Sequence, residues 1–147
     1  MLNKKDLKLI RELRQDSRQG ATRIARKIGM SSSTVYEKTR NHKPIITKYT
    51  CLLNYKEIGC LVRVFMIFKV EKELKDKAKE FLEADNSVNL LWKINSGYDF
   101  LLEGVFMNLI DLENFREFIE TEFKASKMNL FYLVEEVKRE SYVPVEE

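Results

Sequence analysis

Hydrophobic side chains recur every three or four positions at the start of the chain. The spacing of Leu7, Ile10 and Leu13 predicts an amphipathic helix over about residues 4–15. Asn3 stands where its side chain can accept a hydrogen bond from the first turn. The pattern therefore predicts that the chain opens with a capped helix.

Two shorter helices follow after a polar break. Apolar positions within residues 21–28 predict the second helix, and Gly29 supplies the permissive backbone that ends it. Ser31 is placed to cap a third helix that runs to about Arg40, with Val35 on its packing face. Three short helices with a glycine in the turn between the last two predict a helix-turn-helix.

Beyond residue 60 the hydrophobic period changes from helical spacing to alternation. Strands are predicted over residues 61–70, 88–94, 100–107 and 130–142. Apolar residues at helical spacing predict one helix after the first of these strands and another before the last. The order βαββαβ predicts an α+β, ferredoxin-like domain with a four-stranded antiparallel sheet and two helices on one face.

One face of that sheet needs a cover other than the two helices. Phe65, Trp92, Phe131 and their strand neighbours are too apolar for both faces to remain in water. We therefore expect a homodimer, or a higher oligomer, that packs through the open sheet face.

The net charge of +3 over 147 residues conceals two opposed halves. Residues 1–48 contain 13 Lys and Arg against 4 Asp and Glu, a net charge of +9, whereas residues 49–147 contain 13 against 19. Of the Phe, Tyr and Trp side chains, only Tyr36 precedes residue 49. These compositions indicate a basic domain joined to an acidic one.

A basic helix-turn-helix indicates nucleic acid as its partner. The start of the third helix projects into the major groove in this geometry, and surrounding cations contact phosphates. A three-helix bundle whose basic face is merely solvated remains the alternative. The predicted groove-facing side chains are Ser32, Ser33, Tyr36 and Glu37, and the predicted phosphate contacts are Arg23, Lys38, Arg40 and Lys43.

Other chemistry has little support in the sequence. The glycines form no phosphate-binding loop, and Cys51 and Cys60 with the single His42 cannot complete a four-ligand zinc site. No apolar run approaches the roughly 20 residues of a membrane span, and the first residues lack the apolar core of a secretory signal. We expect a cytoplasmic protein that is not an enzyme and that holds no metal or cofactor.

The chain contains a series of short elements that can be compared with known families. They are residues 6–10, Asp16-Ser17-Arg18, residues 24–31 running into Ser33-Thr34-Val35, the linker residues 53–59 and the turn Ser96-Gly97-Tyr98-Asp99. In this order and spacing they resemble the Lrp/AsnC (feast/famine) transcription regulators over essentially the whole chain. The resemblance implies a (winged) helix-turn-helix over residues 1–48, a linker strand over 49–59 and a ferredoxin-like (ACT-like/RAM) domain over 60–147.

This resemblance implies a sequence-specific, DNA-binding transcription regulator, dimeric or higher, whose acidic domain mediates assembly and often binds an amino acid. Backbone N–H groups in a glycine turn suit a carboxylate, and Asp99 suits an α-ammonium group. Alternatively, Gly97 and Asp99 only shape a β-turn. A second function also stays open, a small-molecule-binding or assembly protein whose helical module contacts protein. The effector candidates are Asn95, Ser96, Gly97, Tyr98 and Asp99.

Overall fold

The computed structural model describes residues 3–41 and 45–143. The chain divides into two compact units, one formed by Met1–Leu52 with Val137–Glu147 and the other by Leu53–Glu136. Within the described ranges, no helix is both long enough and apolar enough to cross a membrane.

The first unit contains three helices, α1 (Lys4–Gln15), α2 (Ala21–Ile28) and α3 (Ser32–Asn41), which confirms the predicted bounds to within one residue. Leu9 and Val35 are fully buried at the centre of its core. The wing that the resemblance implies is not present in the described part of this unit, where the three helices are the only regular elements.

Local signals account for the ends of these helices. Asn3 Oδ1 accepts from the Asp6 N–H at 2.8 Å, and the Asp6 carboxylate accepts from the Asn3 N–H at 3.4 Å, which together form a capping box. Gly29 adopts a left-handed conformation with φ +67° at the end of α2. A residue with a Cβ adopts that conformation only at a cost, so the glycine fixes the turn into α3.

The second unit is a four-stranded antiparallel sheet of order β2-β3-β1-β4 with two helices, which confirms the βαββαβ prediction. A short 3₁₀ turn over Lys72–Leu74 precedes its first helix. The elements are β1 (Val62–Lys69), α4 (Lys75–Ala84), β2 (Val88–Lys93), β3 (Phe100–Phe106), α5 (Leu109–Glu122) and β4 (Ser126–Tyr132).

Two strand expectations differ from the structure. The last strand was predicted over residues 130–142 but runs from Ser126 to Tyr132, because its ladder with β1 extends only from Lys69 opposite Ser126 to Val64 opposite Tyr132. Residues 45–61, expected to include the linker strand, lie outside the sheet and contain a turn at 55–59. An alternating sequence forms a strand only where a neighbouring strand supplies hydrogen bonds.

The sheet separates a packed face from an open one. Val64, Met66 and Phe68 of β1 are buried with Phe100 and Leu102 of β3 in the core that α4 and α5 cover. Because successive side chains alternate across a strand, the residues between them lie on the opposite, open face. The predicted position of the helices on one face of the sheet is therefore confirmed.

Candidate nucleic-acid interface

Helix α3 separates a packing face from an exposed face. Ser31 Oγ accepts from the Thr34 N–H at 3.2 Å and so caps the helix. Val35 is fully buried, and the Thr39 hydroxyl donates to the Val35 carbonyl at 2.8 Å. The four predicted groove-facing side chains, Ser32, Ser33, Tyr36 and Glu37, are all exposed.

Exposed arginines lie on α2 and α3, the helices of the helix-turn-helix. Arg40 lies with its guanidinium carbon 5.7 Å from the centre of the Tyr36 ring, a cation–π arrangement that keeps the cation beside the exposed aromatic face. Arg23 of α2 is also exposed. Within the described ranges neither arginine has a carboxylate partner, whereas Lys43 lies outside the described residues. Arg23 and Arg40 are therefore free to meet phosphates.

Lys38, also a predicted phosphate contact, makes an ion pair inside the unit. Its ammonium nitrogen lies 2.6 Å from a carboxylate oxygen of Asp6, which is itself buried. This pair joins the exposed end of α3 to the first turn of α1. The sequence offered one signal of it, an acidic residue in a capping position that also falls on the packing side of α1.

A second ion pair joins α1 to α2. Lys27 donates to Glu12 at 2.5 Å and to Gln19 at 3.0 Å, and Gln19 in turn donates to the Glu12 carbonyl at 3.1 Å. The hydrogen bond from Lys27 holds the pKa of Glu12 below its ordinary value. The helix-turn-helix is thus fastened by charged groups on two sides of its small core.

The predicted effector residues form an exposed turn between β2 and β3. Ile94 N donates to the Asp99 carbonyl at 3.0 Å and closes the turn, in which Ser96 and Gly97 have φ of 62° and 86°. Within the described ranges the N–H groups of these two residues have no acceptor. Successive free N–H groups in left-handed residues form a concave site that suits an anion.

Asp99 faces inward from that turn. One carboxylate oxygen lies 2.5 Å from the Lys75 ammonium nitrogen, and the other accepts from the Val70 N–H at 3.0 Å. Burial opposes its ionisation, but these hydrogen bonds outweigh burial and hold the pKa of Asp99 below its ordinary value. The structure therefore uses Asp99 to anchor the turn, with its carboxylate already paired.

Two residues of β4 join this turn, and sequence reasoning missed both. The Lys127 ammonium nitrogen lies 3.9 Å from the point that a Cβ on Gly97 would occupy. Asn129 Nδ2 donates to the Tyr98 hydroxyl at 2.8 Å. Because the last strand was predicted to begin at residue 130, no sequence signal placed these side chains beside the turn.

The open face of the sheet is apolar and exposed. Phe65 lies opposite Phe131 on β4, and Trp92 of β2 lies opposite Leu101 of β3. Trp92 is 61% exposed and Phe131 is 54% exposed. This pattern agrees with the predicted need for a cover over that face.

A polar cluster lies within the same open face. Glu103 is 5% exposed and accepts from Arg63 at 2.5 and 3.1 Å and from Asn89 at 2.7 Å. Arg63 also donates to Glu136 at 2.8 Å and lies 4.6 Å from the centre of the Tyr55 ring. The charges are therefore paired within one chain, so covering this face would not leave the buried carboxylate unpaired.

Comparison with known proteins shows what this chain is similar to. A family model described as the AsnC-type helix-turn-helix domain matches residues 2–41. An uncharacterized HTH-type transcriptional regulator of Pyrococcus abyssi is 25% identical over 142 residues, which cover 95% of this chain and 97% of that protein. The HTH-type transcriptional regulator LrpC of Bacillus subtilis is 27% identical and covers 80% of this chain and 81% of its own.

Solved structures show the same fold. The structure of B. subtilis LrpC matches with a TM-score of 0.82 at 23% identity and covers 94% of this chain and 98% of its own. A transcriptional regulator of Neisseria meningitidis, crystallised as an L-Met complex, matches with a TM-score of 0.83 at 16% identity. The match covers 98% of this chain and 97% of that protein. Residues 2–41 therefore match the AsnC-type helix-turn-helix, and over most of its length the chain is similar to transcription regulators of the Lrp/AsnC type.

Proposed function

We propose that this regulator binds double-stranded DNA by placing the start of α3 in the major groove. The observation that carries the proposal is the exposed face of α3, where Ser32, Ser33, Tyr36 and Glu37 project away from the core. Helix α3 is the second helix of the helix-turn-helix motif. In the docking geometry of that motif, the N-terminal residues of this helix contact the base edges.

The exposed side chains have the chemistry for base contacts. Glu37 can accept from the amino group of cytosine, and the serine hydroxyls can donate or accept at either base pair. The Tyr36 ring offers an apolar surface to a thymine methyl group. Arg23, Arg40 and Lys43 supply phosphate contacts in this proposal, whereas Lys38 acts by holding α3 to α1 through Asp6.

Two copies are proposed to pack through the open sheet face. Trp92 and Phe131 are the exposed aromatic anchors of that face, and the paired Arg63–Glu103 cluster can be covered without losing a partner. A two-fold dimer would present two recognition helices to half-sites separated by about 34 Å or a multiple of it.

An amino acid is the proposed effector, with its carboxylate at the turn formed by residues 95–99. The N–H groups of Ser96 and Gly97 belong to this turn, and the Lys127 ammonium group lies beside Gly97, so an anion bound here would have donors of both kinds nearby. The relative of N. meningitidis crystallised with L-Met supports this chemical class of ligand. In this proposal Asn95 and Tyr98 line the turn and Asp99, paired with Lys75, keeps its shape.

DNA binding is tested by selecting bound duplexes from a random pool and then titrating salt on the selected sequence. We expect a steep salt dependence, and Arg40→Ala should weaken binding and reduce the slope of log K against log salt by about 0.9. Arg116→Ala is the matched control, since Arg116 pairs with Glu113 and Glu120 on α5. No retention of any duplex at low salt would refute the proposal and favour a module that contacts protein.

Effector binding is tested by following thermal unfolding with a panel of amino acids that includes L-Met. We expect the bound amino acid to raise the melting temperature, and Lys127→Ala to abolish this rise. Lys124→Ala should keep the rise, because Lys124 pairs with Glu71 at 2.7 Å and not with the turn. An equal shift in both variants would place the ligand elsewhere, and no shift with any amino acid would refute the effector proposal.

Assembly is tested by sedimentation velocity. Phe131→Glu should yield monomers because it places a charge on the open sheet face. Ile110→Glu is the matched control, an exposed apolar residue at the start of α5 that should keep at least the dimer. A Phe131→Glu variant that remains dimeric would show that the two copies meet elsewhere.

A further inference from the structure

The last described residues of the chain contact the helix-turn-helix unit. The C-terminal segment, residues 137–143, belongs to the same compact unit as α1, α2 and α3. Arg14 in the last turn of α1 contacts this segment, and its Nε donates to the Tyr142 carbonyl at 3.0 Å. Arg14 Nη2 donates to the Glu140 carbonyl at 2.8 Å and lies 3.4 Å from the Glu140 carboxylate. One guanidinium thus has three acceptors on a three-residue stretch.

The backbone of the segment is shaped to make these contacts. Glu140 has a φ of 47°, in the left-handed region that side chains with a Cβ rarely adopt. In that conformation its carbonyl and its carboxylate both reach the same guanidinium nitrogen. A disfavoured conformation persists where surrounding contacts over-determine it, and Arg14 supplies those contacts here.

The C-terminal segment occupies one edge of the Arg14 guanidinium, and only the Nη1 N–H groups lie outside these contacts. The planar guanidinium forks towards acceptors in one plane, and its Nε and Nη2 donors already face the segment. Helix α1 also carries Asp6, the partner of Lys38 on α3. A displacement of α1 would therefore move Asp6, and with it the ion pair that holds Lys38 on α3.

We propose that Arg14 is a positioning residue that docks the chain's own C-terminal segment, and that the docked segment completes the DNA-binding unit. Docking follows from the contacts alone, whereas its effect on duplex binding rests on the proposed DNA-binding function. Arg14 acts through α1 and makes no contact with DNA in this proposal.

Docking is tested on the full chain with a lysine-specific protease that cleaves after the exposed Lys138, with loss of residues 139–147 followed by intact mass. We expect Arg14→Ala to speed this cleavage about tenfold, because proteolysis tracks the population of the released segment. Arg11→Ala, an exposed arginine of the same helix, should leave the rate unchanged. Equal rates in both variants would overturn the proposal.

The backbone geometry has its own test. Glu140→Gly keeps the carbonyl and favours the left-handed conformation, so cleavage should be no faster than in the unchanged protein. Ser141→Pro drives residue 140 out of that conformation without altering Arg14, and should release the segment as Arg14→Ala does. Rapid release in Glu140→Gly, or none in Ser141→Pro, would overturn the assigned geometry.

The consequence for DNA is tested by combining Arg14→Ala with Ser141→Pro. Each change alone should weaken duplex binding by a similar factor of about five, and the pair should weaken it no further because both release the same segment. The salt slope should not change in any of the three. A slope reduced by about 0.9 in Arg14→Ala alone would instead make Arg14 a phosphate contact and overturn the proposal. If the unchanged protein binds no DNA, the proposed function fails while the protease experiment still decides docking.

Discussion

Replacing Lys38 with alanine should destabilise the DNA-binding unit more than the loss of an ordinary surface lysine. The Lys38 and Asp6 side chains are 31% and 11% exposed, and their charged atoms lie 2.6 Å apart. Exposed ion pairs contribute about 0.2–1 kcal/mol, whereas removing one partner of a buried pair costs about 3–5 kcal/mol. This pair lies between those limits.

The magnitude follows from what Asp6 retains. Its carboxylate still accepts from the Asn3 N–H, so the buried charge keeps part of its stabilisation after Lys38 is removed. We therefore expect a loss of about 1–2 kcal/mol in the free energy of unfolding of this unit. In a domain of roughly 60–100 residues, each kcal/mol of lost stability lowers the melting temperature by about 4–8 °C.

A double-mutant cycle with Asp6→Asn is the decisive assay. Asparagine removes the charge that needs Lys38, so Lys38→Ala should cost less than about 0.5 kcal/mol in that background. Lys48→Ala is the control for losing an exposed lysine. Equal costs of Lys38→Ala in both backgrounds would refute the structural role, and a salt slope reduced by about 0.9 would make Lys38 a phosphate contact.

Three further predictions concern stability. Val35→Ala should cost about 2 kcal/mol in denaturant unfolding because Val35 is fully buried, and Val134→Ala should cost under about 0.5 kcal/mol because Val134 is 90% exposed; similar losses would contradict the packing of α3. Gly29→Ala should lower the free energy of unfolding by about 1 kcal/mol, because a Cβ at this position meets no neighbour among the described residues but strains the left-handed backbone. Gly29→Asn should cost less, since asparagine adopts that conformation more readily, and an unchanged stability in Gly29→Ala would contradict the conformation. Because the pKa of Asp99 is lower folded than unfolded, its ionised form stabilises the fold above the ordinary value of 3.8 and this stabilisation is lost as pH falls through the folded pKa. Thermal unfolding of Asp99→Asn should therefore lose stability at neutral pH and show a weaker decline in acid, and an unchanged acid decline would contradict the Lys75 pairing.

The helices of the DNA-binding unit could be predicted because their signals are local. The capping side chain of Asn3 and the left-handed Gly29 act within one turn of the helix ends that they define. Periodicity gives part of the groove-facing set on α3, since with Val35 inward the residues two positions away on either side, Ser33 and Glu37, fall on the opposite face.

The contacts that complete the two candidate sites could not be predicted in the same way. Lys127 comes beside Gly97 only through the register of β4 on β1, and that register depends on a partner strand rather than on local alternation. Lys38 meets Asp6 only once α1 and α3 have packed together. Sequence periodicity gives the face on which a side chain lies, but tertiary packing decides which opposite charge it meets.

The same distinction changes the meaning of the basic charge in the first part of the chain. A count of Lys and Arg treats every cation as available to phosphates, yet Lys27 pairs with Glu12, Lys38 with Asp6, and Arg14 with the C-terminal segment. Each of these cations already donates hydrogen bonds to a partner, and a phosphate would compete with that partner for it. Within the part of the chain that the structure describes, Arg23 and Arg40 have no carboxylate partner of this kind. The salt dependence of duplex binding should therefore follow those two arginines and other free cations, and should be shallower than the net charge of this part of the chain suggests.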